Sequence, residues 1–218
     1  MGLTHPSSVG PHDLVNRIKA ILTDPKNAWD RIAAEPATVG GLYMGYVVVL
    51  AAIPLLARLV HGVVFGAVVP GVSYHPPILS LLVEAVAGYV LTLGMIYLLA
   101  LAINAVAGNF GGEKNSIQAL KVSVYSFTAA WLSGVFLAAP RLWLLTLLGV
   151  LYSIYILYLG LPRLMKAPQD QALGYTAVSV LVGIVLYAAV LVVAGAVSAP
   201  FDVMGGGLIQ GGGLAHGG

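Results

Sequence analysis

Four polar side chains interrupt long apolar stretches of this chain: Arg58, His61, Glu84 and Asn104. A charge held inside a membrane marks a functional site by default, because isolating it costs on the order of several kcal/mol. Arg58 lies about 25 Å along a helix from Gly41, and Glu84 about 10 Å inward from Pro77. Their depths match, so an Arg58–Glu84 ion pair between antiparallel neighbours is expected, as a structural clasp or as part of a site. Arg58 could instead snorkel to the outer surface. Asn104 can hydrogen-bond across helices.

The rest of the chain assembles no catalyst. The histidines His5, His12, His61, His75 and His216 are dispersed, and none pairs at metal-ligand spacing. The absence of cysteine excludes disulfides, thiolate metal sites and cysteine nucleophiles. No Walker motif, dinucleotide fingerprint or nucleophile elbow occurs. The runs Gly205–Gly207 and Gly211–Gly213 lack the Lys-Ser/Thr that a phosphate loop needs. The reading is a non-enzymatic protein with no cofactor, no metal and no nucleic-acid partner.

The elements that position those polar residues are apolar runs: Leu42–Val69, Ile78–Ala107, Ile117–Ala139, Leu142–Leu161 and Leu173–Val197. Each has about the 20 residues needed to cross a bilayer as helix, and none shows period-two alternation. Composition agrees: 59% of residues are hydrophobic, 8% are charged and mean hydropathy is +0.95. A soluble domain carries about 25% charged residues. The fold class is all-α, a polytopic transmembrane bundle of five helices with an N-terminal amphipathic segment.

Basic residues orient the bundle. Arg17, Lys19, Lys26 and Arg31 precede the first span, Lys114 and Lys121 flank the second-to-third connection, and Arg163 and Lys166 occupy the fourth-to-fifth. Pro70–Pro77 and the segment after Ser198 carry neither Lys nor Arg. By the positive-inside rule the amino terminus is cytoplasmic and the carboxyl terminus periplasmic or lumenal. Residues 1–40 form a cytoplasmic segment, 41–198 the membrane domain, and 199–218 a glycine-rich flexible tail. Met1–Pro11 is expected to be disordered.

Within the first segment, Leu14, Ile18, Ile21 and Leu22 share one helical face. Asp24-Pro25 reads as a cap with proline at the first helical position, opening a second helix with Trp29, Ile32 and Ala33 on its apolar side and Pro36 at its end. Such a segment rests on lipid or packs on the protein's own loops. Gly41/Gly45, Gly62/Gly66 and Ala100/Asn104/Gly108 have small-xxx-small spacing, for internal contacts or a homo-oligomer face. Lys121, Tyr125, Ser126, Thr128 and Trp131 make the third span the most polar, as a packing seam or a cavity wall.

Three segments resemble bacterial Yip-domain proteins. They are Asp24-Pro25 through Thr38, Gln118–Val122 with Tyr125-Ser126 and Trp131-Leu132, and Leu157–Pro168 at the fourth-span exit. Leu42-Tyr43 with Gly45-Tyr46 and Leu50–Pro54 extends the likeness, which runs from about Leu14 to Val197. Ala129 departs from the proline often found there in the family. The resemblance implies a membrane-organising role: a scaffold, assembly factor or accessory subunit whose partners are membrane lipids, other membrane proteins or its own copies. Its partner or lipid surface would comprise Arg17, Lys19, Trp29, Lys114, Lys121, Arg163 and Lys166. The alternative is a small transporter or oligomeric channel.

Overall fold

Asp24-Pro25 divides the amino-terminal segment as its chemistry requires. In the computed structural model, which describes residues 11–69 and 72–212, α1 (Pro11–Thr23) gives way there to α2 (Pro25–Ala34). The Asp24 carboxylate accepts from Asn27 Nδ2 at 2.6 Å and from the Asn27 backbone at 3.3 Å, which holds its pKa below the ordinary carboxylate value. The expected disorder of Met1–Pro11 falls outside the described residues, apart from Pro11, which opens α1.

Five apolar helical spans follow, at Val39–Phe65, Ile78–Phe110, Ser116–Ala138, Pro140–Leu164 and Gln169–Asp202. The first joins α3 (Val39–Leu42), a π turn (Tyr43–Val47) and α4 (Val48–Phe65). The second is α5 (Ile78–Val106) and the fourth is α8 (Trp143–Leu164). The third is broken into α6 (Ser116–Ser126), α7 (Thr128–Ser133) and a 3-10 turn, Gly134–Ala138.

Two boundaries correct the reading of the sequence. The first span stops at Phe65, and Ala67–Val69 forms strand β1, paired antiparallel with β2 (Val72–Tyr74). The last helix, α9 (Ala172–Gly212), continues well past Val197 despite Pro200 and its glycines. A helix already in place propagates at one hydrogen bond per added residue, without a new nucleus. Residues 199–212 are helical, and 213–218 lie outside the described residues.

The third span is the hub. Of its most apolar stretch 67% is buried, against 28% or less in each of the other four. Its mean hydropathy is also the lowest, 1.3, because it faces protein rather than lipid.

Packing differs between the two ends. Tyr46, Ile96, Ile103, Leu120, Ile156, Leu161 and Tyr175 close a dense core at the end bearing α1 and α2, hereafter the basic end. At the opposite end, no residue of 143–152 is buried, and Ser80 alone is buried in 78–94.

One close contact fixes the third span against the fourth. A Cβ at Gly149 would overlap Ser133 Oγ and fall 2.9 Å from the Ala129 carbonyl oxygen. Gly149→Ala must push α7 and α8 apart and is expected to cost about 1–3 kcal/mol. A lowered melting temperature in mild detergent would register that loss; an unchanged one would contradict the contact.

Candidate functional site: a clamped hairpin and an intramembrane cavity

Proline at position 36 ends α2 and leaves its last carbonyls without helical donors. A regular helix would pair Ile32 O with the N–H of residue 36, which proline lacks. The third span supplies the donors instead. Lys121 Nζ donates to Ile32 O at 2.7 Å and to Glu35 O at 2.5 Å, and Gln118 Nε2 donates to Ala33 O at 3.0 Å. A cation at a helix C-terminus also suits the helix dipole.

Trp29 completes the clamp. Its Nε1 donates to Ile156 O at 3.0 Å, its ring lies edge-on to Tyr125, and it is 1% exposed. Arg17 pairs with Glu35 and lies over the Tyr125 ring, 5.7 Å from its centroid. Arg163 Nε meets Asp30 at 2.9 Å. The amphipathic segment therefore packs on its own protein, with α1 folding back along α2.

These contacts redraw the expected partner surface. Trp29 and Lys121 are buried and leave it, because the burial of α2 needs an aromatic anchor and a donor. Arg17 and Arg163 are tied up in ion pairs within the protein. Lys166, in a left-handed backbone conformation (φ 53°) after α8, stays exposed while its Nζ meets Glu113 at 2.7 Å. Lys19 and Lys114 remain exposed.

The polar face of the third span proves to be both seam and cavity wall. Ser123 Oγ donates to Ile96 O at 2.8 Å, and Thr128 Oγ1 shares a hydrogen bond with Tyr46 Oη at 2.8 Å. The helix breaks at Phe127 with Ala129, not a proline, following Thr128. Ala130 N, whose regular acceptor would be Ser126 O, donates to Ser153 Oγ at 2.8 Å, so a side chain inserted from α8 accompanies the break. Asn104 Nδ2 reaches Ser116 Oγ at 3.3 Å and ties the second span to the start of the third. Of the small-residue pairs, Gly62 makes a helix contact, with Leu81 of the second span against it.

Beyond that seam the loosely packed end opens into a cavity of about 890 Å³. Apolar side chains such as Leu55, Leu81, Ile154 and Ile184 make most of its wall, and Arg58, His61, Glu84 and Asp202 also line it. Arg58 does not pair with Glu84. Its Nη2 donates to Tyr187 Oη at 2.6 Å, because α9 brings a phenol to the guanidinium. No ion pair reaches Glu84 among the described residues. The roles of Tyr187 and Asp202 were not foreseen. Asp202 sat in what read as a flexible tail, and tyrosine is common near membrane surfaces.

Comparison with known proteins fits this architecture. A family model described as the Yip1 domain matches residues 19–192. The inner membrane protein YohC of Escherichia coli K12 is 23% identical over 179 residues, which cover 79% of this chain and 90% of that protein. YohC of Escherichia coli O6:H1 aligns with the same figures. No solved structure matches.

Proposed function

This chain belongs to the Yip1-domain family of integral membrane proteins, and from that premise we propose that it works without catalysis, as a membrane scaffold or organiser of the bacterial inner membrane. The carrying observation is the clamp. Lys121, Gln118, Trp29 and two ion pairs fix the α1–α2 hairpin, so the exposed Lys19, Lys26 and Arg31 are presented on a held surface at the same end of the bundle as Lys114 and Lys166. A preorganised surface binds without a large ordering cost. Eight of the ten Lys and Arg residues lie at this end, which supports a cytoplasmic amino terminus and periplasmic carboxyl terminus.

Crosslinking in native membranes, mild solubilisation, pull-down and mass spectrometry test the reading. Wild-type protein should retain a stoichiometric membrane-protein partner, and Lys19→Glu/Lys114→Glu should release most of it. The chain has no cysteine, so a single Lys19→Cys can report orientation. It should resist an impermeant maleimide in intact cells, and Arg141→Cys should react. Recovery of the chain alone, as a defined oligomer with lipid, would turn the reading toward a small transporter or oligomeric channel, the alternative that the cavity favours.

A further inference from the structure

The charges at the loosely packed end are few and concentrated. By sequence position only Arg58, Arg141, Glu84 and Asp202 belong there, and all but Arg141 line the same cavity. Among the described residues, five buried side-chain polar atoms lack a partner: His61 Nδ1, Asn104 Oδ1, Gln118 Oε1, Ser126 Oγ and Asp202 Oδ1. Of these, His61, Ser126 and Asp202 belong to residues that line this cavity. Ser126 is 3% exposed, so its hydroxyl has no bulk water to turn to. Buried polar groups are ordinarily satisfied, and a concentration of exceptions at one cavity calls for a ligand. The volume sits near the upper end of the roughly 300–1,000 Å³ of single-ligand cavities.

We propose that this cavity binds one membrane phospholipid with a primary ammonium headgroup. At one depth the lining has a guanidinium, Arg58, and a carboxylate, Glu84, the complement of a phosphodiester joined to an ammonium. Arg58, already oriented by Tyr187, takes the phosphate, and Glu84, at a matching depth, takes the ammonium, while Asp202, about 22 Å further along α9 than Tyr187, stands at the outer mouth. An anionic headgroup lacking the amine would keep the Arg58 contact but leave Glu84 facing a phosphate with no ammonium between them. Ser126 lies about 18 Å from the far end of its span, against about 10 Å for Arg58 and Glu84, so its hydroxyl falls at the level of the glycerol ester carbonyls. The apolar wall takes the start of the acyl chains. This assignment stands apart from the scaffold reading, which concerns the other end of the bundle.

Native mass spectrometry of the full chain, delipidated in detergent, tests it with added phosphatidylethanolamine or phosphatidylglycerol of matched chains. One phosphatidylethanolamine per chain should be retained, about tenfold more readily than phosphatidylglycerol. Glu84→Gln/Asp202→Asn should abolish that preference. Gly183→Leu provides a second variant with the charges intact, since a Cβ there meets nothing within 4 Å and the residue lines the cavity. It should exclude the lipid while keeping the melting temperature, because leucine favours helix over glycine. Equal retention of both lipids by wild type, or undiminished phosphatidylethanolamine in the Gly183→Leu variant, would overturn the proposal. So would retention of a hydrophobic amine but neither phospholipid, or a crosslink placing residues 203–218 in the cavity of lipid-free and lipid-loaded protein alike.

Discussion

Lys121→Met should unfasten the amino-terminal hairpin from the membrane bundle. Methionine retains much of the length and apolar volume of the lysine stem, so the packing around Val122 and Leu120 survives. What disappears is the donor to Ile32 O and Glu35 O. Each hydrogen bond from a charged group is worth about 1.5–3 kcal/mol, and removing the buried ammonium recovers part of that as desolvation. The net expectation is a loss of about 2–3 kcal/mol. Because Pro36 cannot replace the lost donor to Ile32 O, α2 has no local means of closing its own end. The variant should melt at lower temperature in detergent and be cut by protease in the Glu35–Thr38 link, while the spans stay intact. Lys121→Arg should not restore the wild-type state, since a planar guanidinium does not reproduce two bonds made by a point-like ammonium. Unchanged melting and protease resistance in Lys121→Met would show that the clamp does not depend on this residue.

The same residue shows where the sequence was legible and where it was not. The spans, the Asp24-Pro25 cap and the stop at Pro36 follow from local chemistry, namely apolar run length, a carboxylate before proline, and a missing N–H. All three are found in the structure, with the first span ending four residues early at the β hairpin. Lys121 was read by its charge as a surface residue. Its burial depends on a carbonyl 89 positions away, which no local pattern records. Arg58 and Glu84 had matching depths, but depth leaves the rotation of each helix open. Tyr187 from α9 takes the guanidinium instead. The cavity was visible as one of two meanings of the polar third span. Choosing between them requires knowing which hydroxyls find partners across the seam; Ser123 does, and the buried Ser126 hydroxyl has none.

Gly160 and Trp29 define the largest single packing dependence in the clamp, and a mutant cycle can isolate it. A Cβ at Gly160 would stand 2.7 Å from both Cε2 and Cζ2 of Trp29, well inside contact distance. The indole thus lies flush against the α8 backbone, with its N–H fixed on Ile156 O. Trp29→Ala empties a fully buried site and is expected to cost about 3–5 kcal/mol, enough to release α2 from α8. Gly160→Ala alone should cost about 1–3 kcal/mol, because the ring must leave its place and surrender the hydrogen bond. The two losses should not add. With the indole gone, the methyl at position 160 meets open space, and alanine gains up to about 1 kcal/mol of helix propensity over glycine. The double variant should therefore melt no lower than Trp29→Ala alone, giving a coupling of at least about 1–3 kcal/mol, the full cost of Gly160→Ala, between residues 131 positions apart. Simple additivity would mean that Gly160 is needed for something other than room for the ring, and would place the anchor of the hairpin elsewhere.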